Sequence, residues 1–353
     1  MSRARQLLGV LLKDLPLYLP ALARGGDAHL AIRNRSERLE PAADASGFRC
    51  DWQWTSDLHA PKVIPALGRR LMQRALAAHP IATSLIPKPA VGTSPQISFL
   101  IGHRGTARLP HLLATLATIA AQEGAVVECI VVEQDTQPQL RGLLPGWVTL
   151  VHAPPPAPQM PYCRSWAFNV AARHAHAQVL VMHDNDMLVS NDYAAQILRR
   201  VSQGYEAANL KRFVFYLSLS HTQAFFDGSC GLLDAAPEVI VQNLEAGGSV
   251  AITRAAFEAL GGMDESFVGW GGEDNEFWER ALTLRAWRYN YLPMVHLHHP
   301  AQAGKGAPGN PTAAHYRRLA AITVDARIAQ LRAMPRGETQ GPQGWRNCAK
   351  EVG

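Results

Sequence analysis

Three groups in the second half of the chain have residue types and spacings that can do chemistry. Asp184-Asn185-Asp186 sets two carboxylates two positions apart. Gly269-Trp270-Gly271-Gly272 is a glycine-rich aromatic loop running directly into Glu273-Asp274-Asn275-Glu276. His296, His298 and His299 place three imidazoles within four residues. Two carboxylates at a strand end can divide work, one binding a divalent cation while the other holds substrate hydroxyls or the groups around the metal. Oxygen ligands suit magnesium or manganese, and imidazole nitrogens extend the preference toward manganese or zinc. His296 and His298 alternate along an extended chain, which points both rings to one side. With one aspartate they make a three-ligand set that leaves room for substrate oxygens. The plainer alternative is one or two structural histidines and a surface His299. Asp274, next to glycines that allow close approach of a ligand, can take a proton from an attacking hydroxyl. Its plainer reading is an acid favoured at a helix N-terminus. Trp270 can stack on the C–H face of a sugar or pack at an interface.

Such residues need a scaffold, and the hydrophobic pattern supplies one. Ile97–Ile101, Val126–Val132, Val148–His152 and Gln178–Met182 are short apolar runs rich in β-branched residues, as in buried parallel strands. Helical periods at Leu109–Gln122 and Arg164–Ala177 alternate with them. Alternating strands and helices predict an α/β domain with a mainly parallel sheet flanked by helices. Ligands bind at the carboxyl ends of such strands, where Arg104, Glu133 and Asp184-Asn185-Asp186 stand. Downstream, a helix is expected over Glu273–Arg285, with Glu276 and Arg280 able to pair across one turn. A strand over Trp287–Leu292 would then deliver His296 and His298 just past its end. Leu219–Leu244 reads as a long loop over the site, and Ala313–Met334 as one helix. Pro87, Pro89, Gly92 and Pro95 punctuate the chain. The expected division is an N-terminal extension over 1–92, a catalytic domain over 93–303, and a C-terminal loop, helix and tail over 304–353.

Length and composition narrow the class. A chain of 353 residues, 47% hydrophobic and 18% charged, can bury a sizeable core and is not a disordered polymer. The net charge of +5 suits anionic small substrates such as nucleotides, or an acidic membrane surface. Its basic residues are scattered, which argues against nucleic acid as a partner. The cysteines at 50, 129, 163, 230 and 348 are odd in number, widely spaced and without a CxxC pair. That argues against a disulfide scaffold and for a cytoplasmic protein. The apolar segment Gln6–Ala23 is interrupted by Lys13, Asp14, Pro16 and Pro20 and is too broken to span a bilayer. It reads as a helix packed on the domain, with a peripheral membrane anchor as the second reading. Gly304–Gly309 satisfies GxGxxG but contains a proline and follows no buried strand, so it is not a dinucleotide fingerprint.

The motifs taken together resemble those of the beta-1,4-galactosyltransferase family and, more broadly, of bacterial family 2 glycosyltransferases. Gly261 to Arg280 is similar to that family's GWGxED signature with its lead-in. Ile101-Gly102-His103-Arg104 resembles its strand-end P-F-R, and Arg164 to Val170 its R-x-x-x-x-N-V helix. Asp184-Asn185-Asp186 resembles its DxD, and His296-Leu297-His298 its metal-binding H-x-H. The resemblance, over about Ile97 to Pro300, implies a GT-A fold and an inverting, metal-dependent transfer. The sugar, galactose or N-acetylhexosamine, would pass from a UDP-sugar to a hydroxyl of a glycan or other acceptor. It implies manganese, with magnesium as the other option, held by Asp186, His296 and His298. It implies Asp274 as the base, and Arg104, Glu133, Arg164, Asp184, Trp270 and Glu273 around donor and acceptor. Gly102-His103 and Glu133 depart from the family's usual residues. The alternatives are a metal-dependent hydrolase and a non-catalytic protein that binds UDP-sugar or glycan on the same fold.

Overall fold

A computed structural model describes residues 3–51, 55–87, 94–300 and 311–341. The expected mainly parallel sheet is present, with seven strands. In spatial order they are Ala286–Trp287, Ala207–Ala208, Ser249–Thr253, Val179–His183, Ile97–His103, Val127–Glu133 and Val148–His152. Ser249–Thr253 runs antiparallel to both its neighbours, and every other adjacent pair is parallel. Side chains alternate between two buried faces, as strand geometry requires. Phe99, Ile101, Cys129, Val131 and Val181 face the core shared with helix Leu109–Ala120. Leu100, Ile130, Val132, Leu180 and Met182 face the core shared with helix Arg164–His174. Both faces are covered, which explains the near-continuous apolar runs.

There is a second sheet of five strands, in the order Ser56–Asp57, Val239–Gln242, Lys211–Tyr216, Leu292–His296 and Met187–Val189; the apolar run Phe213–Ser218 foreshadows its central strand, but the pairing is not legible in the pattern. The segment 219–244 is not one long loop. It holds the helix Leu219–Phe226, capped by Ser218, whose hydroxyl accepts from the His221 N–H at 3.1 Å, and the strand Val239–Gln242. The strand expected over Trp287–Leu292 is split. Trp287 ends one strand, Asn290 leaves to bridge Phe48, and pairing resumes at Leu292. Pro293 is tolerated there because the partner strand shifts register between Lys211 and Phe213. His296 therefore lies on the strand, not beyond it. The single helix expected over Ala313–Met334 is two, Pro311–Leu319 and Val324–Arg332, because Thr323 caps a new start by accepting from the Ala326 N–H.

The N-terminal residues share the main core. Ser56–Asp57 pairs with Val241 and Gln242, and Val10, Tyr18, Leu71 and Met72 are buried in the cluster that contains Phe99 and Val131. The boundaries drawn at 92 and 303, and the loop Gly304–Gly309, fall outside the described residues.

One buried pair locks the helix Glu273–Ala281 to what precedes it. Arg280 donates to Glu276 at 2.7–2.8 Å and to the carbonyls of Leu260 and Gly262 at 2.7–2.8 Å, and both charged side chains are buried. Replacing Arg280 with methionine leaves two carbonyls unpaired and Glu276 with Arg327, 3.3 Å away, as its remaining cation. Arg280→Met is expected to cost about 2–4 kcal/mol, read by urea denaturation.

Candidate active site

A cavity of about 750 Å³ opens at the carboxyl ends of the parallel strands. Among the chain segments that meet in it are the end of Ile97–His103, the start of helix Arg164–His174, Asp184-Asn185-Asp186, the loop and helix around Gly269–Asp274, and His296 to His299. Arg164 lies at its centre. Its guanidinium is 2.6–2.8 Å from Asp184 Oδ1 and 3.7 Å from Glu273 Oε1, and it donates to Asp274 Oδ1. Three carboxylates thus share one cation inside a cleft where a lone carboxylate would be costly. Burial, then the adjacent Asp274, push the Glu273 carboxyl up to about 7, with Arg164 opposing. Burial likewise raises Asp184 against the pull of Arg164. Below them Lys211 is fully buried, with Nζ donating to the Ser249 carbonyl at 2.6 Å, and burial lowers it to about 7. Close packing beside Asp274 depends on Gly247, which has φ +74°; a Cβ there would stand 2.9 Å from Asp274 Oδ2.

The second half of the cleft is built on Asp186. Its Oδ1 is 3.7 Å from His296 Nε2 and its Oδ2 is 3.1 Å from His299 Nε2. One ligand atom from each of Asp186, His296 and His299 lies within 4.8 Å of the others, a carboxylate-and-imidazole set that fits a divalent transition cation. Burial alone would raise Asp186. The hydrogen bond from His299 and the charges of His296, His299 and Arg108 outweigh it and hold the carboxyl well below its usual range. His299 Nδ1 is 2.8 Å from the Pro300 carbonyl and 2.9 Å from Arg108 Nη2. A proton on Nδ1 serves the carbonyl and leaves the Nε2 lone pair for a metal; a proton on Nε2 serves Asp186.

The group of possible ligands around Asp186 differs from the expected set at one position. His298 lines the same cavity, but the group around Asp186 is completed by His299. The strand ends at His296, and Leu297 donates its N–H to the Asp186 carbonyl at 2.9 Å. Past that point the chain leaves the sheet, so two-residue alternation no longer sets which ring faces inward. His298 is anchored through its backbone, the N–H donating to Thr222 Oγ1 and the carbonyl accepting from His111 Nε2, each at 2.8 Å.

Arg104 lines the cavity, but two of its nitrogens are spent on the Gln134 and Met160 carbonyls, at 2.6 and 2.8 Å. Glu133 is not brought into the cavity. It is fully buried, and Oε1 accepts from the backbone N–H groups of Gln139 and Leu140 at 2.7 and 3.0 Å, so it closes the following loop instead. Trp270 stands on the cavity wall, 40% exposed, with its carbonyl accepting from Thr312 Oγ1. Arg108 was missed by sequence reasoning. It sits 3.3 Å from Asp186, at the start of helix Leu109–Ala120 just past a strand end, and that placement was its available signal. His103 is a brace: it accepts from Asn185 Nδ2 at Nδ1 and donates from Nε2 to the Gly105 carbonyl, both at 2.8 Å. Burial holds it neutral, with its pKa down at about 4.

Residues 242–299 match the family model described as the N-terminal domain of galactosyltransferase, a span that contains the Trp270 loop, Glu273, Asp274, His296 and His299. No curated protein matches the sequence. Among solved structures the chain is similar to a mannosyltransferase from Pyrobaculum calidifontis in complex with GDP-Man and Mn2+. The identity is 16% and the TM-score 0.41, covering 81% of this chain and 76% of that one. It is also similar to the catalytic domain of Drosophila beta1,4galactosyltransferase 7 in complex with xylobiose, at 16% identity and TM-score 0.33, covering 61% and 79%. A variant of that enzyme with manganese, UDP-Gal and xylobiose is similar at 15% identity and TM-score 0.37, covering 60% and 79%.

Two predictions come from this geometry. Manganese binding, followed by calorimetric titration, should fall at least about tenfold in His299→Ala and change less in His298→Ala; the reverse order would restore the alternating pair. The second concerns pH. An acid whose folded pKa is raised adds stability below its unfolded value and loses it as pH rises through the folded one. Metal-free protein should therefore lose on the order of 2 kcal/mol between pH 4.5 and pH 7 from Glu273. Urea unfolding of Glu273→Gln should show a correspondingly flatter profile across that window.

Proposed function

We propose that this chain is a metal-dependent, inverting glycosyltransferase of GT-A fold. On this reading it moves a sugar, galactose or an N-acetylhexosamine, from a UDP-sugar to a hydroxyl of a glycan or other acceptor. The observation that carries the reading is the pairing of two unlike groups in one cleft. The Asp186, His296 and His299 set and the Arg164-bound Glu273–Asp274 pair line the same cavity. The galactosyltransferase family match over 242–299 supports it.

In this mechanism Asp274 is the base. Its carboxylate, held by Arg164 before substrate enters, accepts the proton of the acceptor hydroxyl at the carboxylate oxygen. The hydroxyl oxygen bonds to the anomeric carbon on the face opposite the diphosphate, and the bond from that carbon to the phosphate oxygen breaks with its electron pair leaving on UDP. Glu273, pushed up to about 7, can offer a proton to a sugar oxygen as well as accept from a hydroxyl. Asp186, His296 and His299 would hold manganese, or magnesium; bound there it supplies Lewis-acid neutralisation of the departing diphosphate. Arg108, beside Asp186, adds fixed positive charge on that side. Trp270, between glycines with φ of +106° and +103°, is placed to cover the bound sugar and exclude water.

A panel of UDP-sugars with manganese, read by UDP release with and without acceptor sugars, tests the reading. Release that needs an acceptor supports transfer, and acceptor-independent release of free sugar supports a hydrolase. UDP binding with no turnover on any pair supports a binding protein. Asp274→Asn should lower transfer by about 10²–10⁴-fold while leaving UDP affinity within a few-fold of wild type. Transfer by that variant at the normal rate would remove Asp274 from the role of base.

A further inference from the structure

A surface outside this cavity carries a separate assignment. Helix Arg3–Lys13 buries one side chain, Val10, and turns four leucines to solvent. Leu7 and Leu11 are 41% and 43% exposed, and Leu8 and Leu12 are 56% and 67% exposed. Each pair is spaced four apart, so the four form one stripe on the helix surface. Leu19 on the following helix, Leu15–Ala23, is also exposed, at 56%. A contiguous leucine face of this kind is not ordinary solvent-facing surface.

We propose that this face is an interfacial anchor that lies on an anionic phospholipid bilayer. Charge points to that occupant. Arg3, Arg5 and Lys13 flank the leucines, and no acid occurs from residue 3 to residue 13. The adjacent Asp14 is buried and paired with Arg35 at 2.8 Å, so it does not offset them. A leucine-bearing helix that carries cations and no acid complements anionic headgroups. A second copy of the chain fits it less well, because face-to-face contact of two such helices brings cations against cations in either direction.

Length and tethering define an anchor that lies flat. Eleven residues of helix span about 16 Å, short of the roughly 30 Å hydrocarbon core. The next helix, bent by 55° from it, buries Tyr18, Ala21 and Leu22 in the protein core. Drawing both helices into the bilayer as one span would pull those side chains out. The second helix fastens the first to the protein and leaves its leucines outward.

The test is co-sedimentation of the full chain with vesicles of phosphatidylcholine alone and of phosphatidylcholine mixed with phosphatidylglycerol. Binding is expected on the mixed vesicles, weaker on the neutral ones, and reversed by high salt. Arg3 and Lys13 together should account for a preference of at least about tenfold. Leu8→Ser/Leu12→Ser should lose at least about tenfold in partitioning. Unchanged manganese affinity and circular dichroism would show that this variant remains folded. Absence of wild-type binding to mixed vesicles, or equal binding by the double variant, would overturn the proposal. So would concentration-dependent dimerisation, in light scattering, that the double variant abolishes, without vesicle binding.

Discussion

One guanidinium among three carboxylates is the interaction on which the cleft depends. Arg164 reaches Asp184, Glu273 and Asp274, residues separated by as much as 110 positions in the chain. Each acid sits in a partly or fully buried cleft, where an isolated negative charge would be driven to take a proton or move to solvent. Arg164 can serve all three because it opens a helix whose next residues, Ser165 to Ala172, are buried against the sheet. That packing holds its position independently of the carboxylates. The raised Glu273 shows that the compensation is incomplete, leaving a cleft that would gain from a cationic ligand or a proton.

Asp184-Asn185-Asp186 joins this node to the second one. Its three consecutive side chains go to three partners: Asp184 to Arg164, Asn185 to His103, and Asp186 to His299 with His296 and Arg108 nearby. The backbone is held from both sides, with the Asp184 N–H on the Gly248 carbonyl and the Leu297 N–H on the Asp186 carbonyl. A shift of this turn would disturb the candidate metal group and the candidate base together. This shared turn gives a physical basis for coupling the candidate metal group to the candidate base, because both rest on one strand end.

Much of this was legible in the residues. The four apolar runs became four adjacent parallel strands, and the Glu276–Arg280 pair formed with its predicted spacing. Asp184, Asp186, Arg104, Arg164, Trp270, Glu273, Asp274, His296 and His298 all line one cavity. What failed has particular causes. His299 replaced His298 beside Asp186 because the alternation rule holds only while the chain is extended, and the strand stops at His296. Glu133 stood at a strand end like the others, but two loop N–H groups took its carboxylate, and such a local capture leaves no periodic trace. Of the second sheet, the residues show one strand-like run, Phe213–Ser218; its pairing was hidden because it joins residues as distant as Asp57 and Val241. Arg108 became meaningful only once the fold set it against Asp186.

On the proposed function, one cleft would hold a cation on Asp186, His296 and His299 and a sugar nucleotide beside Arg164, Glu273 and Asp274. Anomalous diffraction at the manganese edge, from crystals grown with manganese and UDP, checks both at once. A single strong peak is expected, bonded to Asp186, His296 and His299 and to the diphosphate of UDP. A peak elsewhere, or UDP bound with no metal at these three side chains, would contradict it.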